Sequence, residues 1–273
     1  MKSRGDAKGP VETAFEGRAR RAELLAGESA STSAVAPLRF AGGLYRVQGA
    51  IAGAIQAQSA TRPLTGSLAR DADVVLREAP RLFQYVRESA PEALAKEALA
   101  RNKDDASVAR SRILVYWGDE VASQGDYLSR AVLRPYVEVL SALQISPDRL
   151  HRSGRCPFCG GPAWISARRS DSGMDGARRL LGCALCGREW QFNRGRCPCC
   201  SEEEPKKLPS FQSDAHPSVR IEACETCHRY LKSIDQTLDA RSIPEVDDLV
   251  SLAMDVWALE EGYIRLEPGL AGV

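Results

Sequence analysis

Four Cys-x-x-Cys pairs lie between residues 156 and 227: Cys156/Cys159, Cys183/Cys186, Cys197/Cys200 and Cys224/Cys227. They hold eight of the nine cysteines in a chain of 273 residues, and no cysteine precedes position 156. A two-residue spacer lets a tight turn aim both sulfurs at one metal. Two such turns supply the four ligands of a tetrahedral site. One pair alone is a weak signal; four in succession are a strong one. In a reducing compartment, clustered cysteines bind metal more often than they form disulfides.

The pairs repeat. Each cysteine of the first two pairs recurs 41 residues later, so each unit reads Cys-x2-Cys-x23-Cys-x2-Cys. Gly154-Arg155-Cys156-Pro157 returns as Gly195-Arg196-Cys197-Pro198, and Arg188 returns as Arg229. The repeat predicts two tandem modules. Cys156, Cys159, Cys183 and Cys186 form one metal site, and Cys197, Cys200, Cys224 and Cys227 the other. A swapped pairing is also compatible with the spacing, because Cys186 and Cys197 are close in sequence. Short β-type runs flank the pairs: Ala163-Trp164-Ile165, Glu189-Trp190-Gln191-Phe192, Val219-Arg220-Ile221 and Tyr230-Leu231. Such hairpins around knuckles describe a zinc-ribbon or rubredoxin-like module. A module this small has little core, so the metal supplies much of its folding energy, on the order of 10 kcal/mol per structural site. A redox dithiol would open a helix, whose amino end lowers the thiol pKa. Glycine, proline and short strands flank these pairs instead, which argues against a thioredoxin-type enzyme.

Three further residues lie near the pairs. Cys199 corresponds to Phe158 in the repeat and reads as a bystander. His228 corresponds to Gly187, and the adjacent sulfurs already complete a set of four. His216, before Pro217, reads as an exposed loop residue. Between 151 and 235 there are 14 Lys and Arg against 10 Asp and Glu. Arg168, Arg169, Arg178 and Arg179 flank a Gly/Ser/Asp loop that reads as mobile, and the arginines as solvated. The mild charge, the acidic Glu202-Glu203-Glu204 and the scarcity of aromatics argue against nucleic acid as a partner.

The rest of the chain is different in character. Residues 1–12 are polar and read as disordered. Over 13–150 the pattern is helical, with no strand alternation, and predicts an all-α domain. Phe40, Leu44, Val47, Ile51 and Ile55 recur at three- and four-residue spacing, with Pro37 suited to a first turn. Gly42, Gly43, Gly49 and Gly53 on the same segment point to a close backbone approach by a neighbour, or else to an interruption of the helix there. A helix is expected from Ser67 to Ser89 with Val75, Leu82, Tyr85 and Val86 inward, and another from Pro91 to about Leu99. Apolar segments follow at Ile113–Trp117 and Leu133–Leu143, the last with a kink or helix start at Pro135. The charged residues of this half read as solvated helix faces. Residues 151–192 and 193–240 are the two metal modules. In 241–273, Pro244 opens a closing helix with the stripe Val246, Leu249, Ala253, Val256 and Leu259, capped at Gly262. The whole reads as α+β: a helical domain, two rubredoxin-like or zinc-ribbon modules and a C-terminal helix.

Bulk composition excludes several classes. The chain is 44% hydrophobic and 27% charged, with a formal net charge of +1, so no global field points to nucleic acid or a membrane. Met1–Glu12 lacks the apolar core of a signal peptide. The longest uncharged stretch, Val47 to Thr61, is interrupted by three glutamines and is shorter than the roughly 20 apolar residues that span a bilayer. A cytoplasmic protein is expected.

At this point the sequence resembles the bacterial formate dehydrogenase accessory proteins. The four Cys-x-x-Cys pairs with Trp190 after the second carry the resemblance. So do Asp247-Asp248-Leu249, Ser251-Leu252, Asp255 and Glu261-Gly262-Tyr263, together with Leu38-Arg39-Phe40 and the downstream Gln48. The resemblance implies a cytoplasmic maturation factor and not an enzyme. It implies rubredoxin-type iron on the eight paired cysteines and the catalytic subunit of formate dehydrogenase as partner. Cys199 departs from the family pattern. Ligand chemistry does not choose between iron and zinc, since four thiolates suit both; the iron expectation rests on the resemblance. The competing readings are a zinc-ribbon protein that binds nucleic acid or scaffolds a complex, and a small iron electron carrier.

Overall fold

The computed structural model describes residues 9–28, 32–118, 125–170 and 177–272. The helical half comprises α1 (Pro10–Glu28), α2 (Thr32–Ser59), α3 (Leu68–Ser89), α4 (Glu92–Arg101), α5 (Ala106–Gly118) and α6 (Tyr127–Ala142). The first helix buries one stripe, Val11, Phe15, Ala19 and Ala22, at the spacing of a single helix face. That stripe lies on α2, where the glycines permit contact: a Cβ on Gly49 would sit 3.1 Å from Cβ of Phe15. On the other side of α2, a Cβ on Gly43 would collide with the ring and hydroxyl of Tyr85, whose hydroxyl donates to the Phe40 carbonyl. The close approach expected from these glycines is what the packing shows.

Two details of this half differ from expectation. Residues 10–12, expected with the disordered terminus, are the first turn of α1, and Val11 is buried. Residues 1–8 lie outside the described part. Pro37 lies inside α2 and not in its first turn. Pro135 likewise lies within α6, which runs from an Asp126 cap that accepts from the Ser129 amide.

The sheet follows: β1 (Ala163–Arg169), β2 (Arg178–Cys183), β3 (Glu189–Gln191), β4 (Ser210–Gln212), β5 (Val219–Cys224), β6 (Arg229–Asp235) and β7 (Ile264–Arg265). Its order is β3-β2-β1-β6-β5-β4, with β7 beside β6. Each metal unit contributes an antiparallel group, and β1 joins β6 in parallel, Ser166 opposite Ser233 and Arg168 opposite Asp235. The tandem units therefore form one continuous sheet. One face, with Ile165, Val219, Ile221 and Ile234, belongs to the same hydrophobic core as the helices. That core also takes in Cys156, Cys159, Cys183 and Cys186.

The C-terminal segment was expected as one amphipathic helix. It is instead a short turn of helix, α7 (Pro244–Asp247), a 3₁₀ stretch (Asp248–Ser251) and α8 (Leu252–Glu260). Three residues per turn in the 3₁₀ stretch shift the phase of the buried face. Val246 and Leu249 point inward as expected, whereas Ala253, Val256 and Leu259 are exposed. Met254, Asp255 and Ala258 take the inner positions. Gly262, at φ +84°, ends the helix where a left-handed residue is needed.

Buried charge joins the halves. Arg134 and Glu138 on α6, Arg18 on α1 and Glu245 on α7 form a linked set: Arg134 Nη2–Glu245 Oε2 2.7 Å, Arg134 Nε–Glu138 Oε1 2.8 Å and Arg18 Nη1–Glu138 Oε2 2.8 Å. Arg130 meets Glu267 at 2.6 Å, and the Tyr136 hydroxyl donates to Asp71. The charged residues of the helical half among these were expected on solvated faces. Arg18, Arg130, Arg134 and Glu138 are instead largely buried where the C-terminal segment meets the helices, and each finds a charged partner.

Candidate metal centres

The sulfurs of Cys156, Cys159, Cys183 and Cys186 lie within 4.8 Å of one another, and so do those of Cys197, Cys200, Cys224 and Cys227. The grouping follows the repeat, and the swapped pairing is absent from the fold. Within the first cluster Cys156 Sγ is 3.6 Å from Cys186 Sγ, and Cys159 Sγ is 3.4 Å from Cys183 Sγ. In the second, Cys197–Cys227 is 3.7 Å and Cys200–Cys224 is 3.6 Å. A tetrahedral metal with sulfur ligands at about 2.3 Å has ligands about 3.8 Å apart. These four edges match that value to within a few tenths of an ångström.

Local backbone makes the knuckles. In the first cluster the Leu185 and Cys186 amides face Cys183 Sγ at 3.4 and 3.5 Å. In the second, the Cys199 amide faces Cys197 Sγ at 3.4 Å. The residue after each second cysteine turns into the left-handed region: Gly160 at φ +64°, Gly187 at +66°, Ser201 at +64° and His228 at +52°. The first unit places glycine at both positions, where it is unstrained. The second places Ser201 and His228 there. Sequence reasoning equated His228 with Gly187 but did not draw the conformational consequence. Gly161 is also built into the first site, since a Cβ there would sit 2.8 Å from Cys183 Sγ.

The donor set calls for a cation. Hydrogen bonds from Cys159, Cys183 and Cys186 hold the Cys156 thiol well below its ordinary range. Sharing with Cys156 pushes Cys159 and Cys186 up, and burial pushes Cys183 up. In the second cluster burial pushes Cys197 up to about 11 and raises Cys227 further. Four thiolates this close repel one another unless a positive charge sits among them. Four soft donors in a tetrahedron suit zinc or iron.

The surroundings of the two clusters differ. All four cysteines of the first are buried. Its second knuckle abuts the buried charge set: a Cβ on Gly187 would sit 2.6 Å from Arg18 Nη2. Arg188 stacks 4.1 Å from the Phe158 ring centroid and donates to Ser141 Oγ at 2.5 Å, tying the knuckle to α6. In the second cluster Cys200 is exposed and Cys227 half-buried, and Cys199 beside them is exposed and outside the ligand set. The His228 ring packs toward Tyr263 and is not a member of the cluster.

The motif residues that carried the resemblance turn out to be internal ties. Lys232 on β6, with no exposed side-chain surface, meets Asp255 at 2.5 Å and Asp248 at 2.9 Å. Arg265 on β7 meets the same two carboxylates at 3.1 and 2.9 Å, and the Tyr230 hydroxyl donates to Asp255. Burial alone would raise the Asp248 carboxyl, but Arg265 and Lys232 hold it below the ordinary range. Asp247 accepts from Arg21 Nε at 2.9 Å, Tyr263 donates to Glu225, and Gln48 donates to the Ala131 carbonyl at 2.9 Å. The flanking arginines are mostly paired as well: Arg168 with Asp235, Arg169 with Glu189 and the buried Arg179 with Glu222. They were expected to be solvated. Residues 171–176, expected as a mobile loop, lie outside the described residues.

Fold and site together define a class: a helical domain fused to a continuous sheet that carries two four-cysteine clusters. A family model described as "FdhE, C-terminal domain" matches residues 196–270, which take in the second cluster and the C-terminal ties. The chain is 32% identical over 117 residues to a "Protein FdhE homolog" of Aquifex aeolicus, covering 43% of this chain and 41% of that one. It is 31% identical over 184 residues to the homologue of Pectobacterium carotovorum subsp. carotovorum, covering 67% and 52%. The aligned part thus spans about half or less of these relatives' length. The crystal structure of the FdhE protein from Pseudomonas aeruginosa has the same fold, with a TM-score of 0.70 over 96% of each chain at 23% identity. The chain belongs to the FdhE family.

Proposed function

We propose that this chain is a cytoplasmic accessory factor for formate dehydrogenase, with one metal in each cysteine cluster and no catalytic step of its own. In this reading it binds the catalytic subunit of that enzyme during maturation. The observation that carries it is the pair of four-sulfur clusters, held in the fold shared with FdhE, one sealed in the core and one at the surface. The metal is iron in this reading, by the resemblance to rubredoxin-type accessory proteins, and the same donors accept zinc in recombinant protein. A bound metal supplies a cross-link between the two hairpins of each unit. The residues around the first cluster then join that unit to the helical domain. Those around the second leave Cys200 and its neighbours accessible to a partner. No helix among the described residues is long and apolar enough to cross a membrane.

Tagged protein purified without oxygen should retain the catalytic subunit from cells that express both, and its deletion should lower formate oxidation. Failure of both would end the proposal. A colourless, zinc-only product from native cells would remove the iron assignment. Salt-sensitive micromolar binding to nucleic acid would favour the zinc-ribbon reading instead.

A further inference from the structure

Six arginines converge on one cavity next to the second cluster. The cavity has a volume of about 290 Å³ and is lined by Arg168, Arg179, Arg194, Arg196, Arg220 and Arg229. Sheet register explains the convergence. Arg168 on β1 is directly opposite Arg179 on β2, and Glu222 on β5 is opposite Leu231 on β6. With side chains alternating along each strand, Arg220, Glu222, Arg229 and Leu231 share the face that Arg168 and Arg179 occupy. That is the face turned away from the helical core. Arg194 and Arg196 enter from the turn before Cys197. Like charges directly opposite in a sheet oppose its formation unless something neutralises them.

The acids present do not complete that neutralisation. Glu222 is the one carboxylate in the lining, at 2.6 Å from Arg179. Asp235 reaches Arg168 at 3.5 Å and Glu203 reaches Arg196 at 3.5 Å from outside it. Six cations against three carboxylates, and against the net two negative charges of a divalent metal on the four thiolates beside them, still leave about one positive charge in excess. Among the described residues, Arg194, Arg220 and Arg229 have no acidic partner. Arg179 is only 6% exposed, and its Nε lacks a hydrogen-bond acceptor, as does the buried Nε of Arg220. Buried donors without acceptors are uncommon in folded proteins. The remaining lining combines Cys197 and Cys224 of the second cluster with apolar residues such as Leu208, Leu231 and Leu266. The volume is near the lower end of small-ligand sites.

We propose that this cavity binds a phosphate-class oxyanion, either free or carried by a small molecule, through the guanidinium groups of Arg179, Arg194, Arg220 and Arg229. Guanidinium forks match such oxygens in pairs, and burial strengthens the charge-assisted bonds. The cavity borders the second sulfur cluster, since Cys197 and Cys224 are in its lining, and the oxyanion it takes needs no protein partner.

Calorimetric titration of the metal-loaded full chain tests it, with inorganic phosphate and AMP as separate probes at constant ionic strength. One saturable site is expected. Arg220→Gln and Arg194→Gln should each weaken binding by about tenfold or more, the loss of one charge-assisted bond. Arg241→Gln, on an 84% exposed side chain elsewhere, should leave it unchanged. AMP binding tenfold tighter than phosphate would identify a carried phosphate, and equal affinity a free one. No saturation by either probe, or wild-type affinity in folded Arg220→Gln and Arg194→Gln proteins, would overturn the proposal.

Discussion

Cys159 is sealed from solvent, while Cys200, its counterpart 41 residues on, is exposed. The two units share ligand spacing, knuckle geometry and even the flanking Gly-Arg-Cys-Pro. They differ in what surrounds them. The first unit has glycine after each knuckle, and one of these, Gly187, lies against Arg18 and Glu138. Its Arg188 reaches α6 through Ser141. At the equivalent position, Arg229 lines the arginine cavity and, among the described residues, donates to a backbone carbonyl, that of Arg265. The repeat thus holds two sites of one chemistry, one in the core and the other at the surface.

The largest difference is expected from ligand removal. A structural site contributes on the order of 10 kcal/mol, comparable to the whole stability of a typical domain. Cys159→Ser should therefore abolish cooperative unfolding of the entire chain, because the first cluster belongs to the common core. Cys200→Ser should lose one metal yet retain a cooperative helical melt by circular dichroism. Equal damage from both would break the comparison.

The buried charges beside the first cluster should come next. Arg134→Met leaves Glu138 and Glu245 partly uncompensated and should cost about 3–5 kcal/mol in urea unfolding. Arg196→Ala, beside the second cluster and 3.5 Å from an exposed Glu203, should cost less than about 1 kcal/mol.

Acidity probes the same junction. Burial would raise the Glu245 carboxyl, but Arg134 and Arg18 hold it below the ordinary range. A depressed folded pKa contributes stability that is fully present above the unfolded value, about 4.3, and is lost as pH falls through the folded value. The Tm advantage of wild type over Glu245→Gln should therefore be largest near neutrality and shrink below about pH 4.3. An advantage independent of pH would refute the ion-pair account.

The smallest effects are at the knuckles. Gly187→Ala forces a left-handed alanine toward Arg18 and should cost about 1–2 kcal/mol or somewhat more. Ser201→Gly relaxes the equivalent turn in the second unit and should change stability by less than about 1 kcal/mol, in the stabilising direction. Thermal melts of the two variants give the contrast.

Much of this was legible in the sequence, because cysteine spacing and helical periodicity are local signals. The repeat pointed to the grouping of the sulfurs, with a swapped pairing still open, and the glycines of α2 pointed to close packing or a break in the helix. What stayed hidden was non-local. Arg134 and Glu138 look like an ordinary exposed i, i+4 pair until Arg18 and Glu245 are brought to them across 120 and 111 residues. The parallel join of β1 to β6 leaves no mark in either strand. The phase shift in 248–251 defeated the predicted C-terminal stripe, because an aspartate at 255 reads as outward until Lys232 is placed beneath it. The arginine cavity needs strand register, which spacing alone does not supply.

The central claim is that one metal site is part of the core and the other is accessible, and timed chelation of the native, metal-loaded chain tests it most directly. Metal release is followed with a coloured chelator while the helical signal is recorded. The account predicts two metals per chain. One should leave at least tenfold faster than the other with the helical signal unchanged, and the second should leave only as the helices unfold. Release of both metals in a single phase, or helix loss with the first, would contradict it.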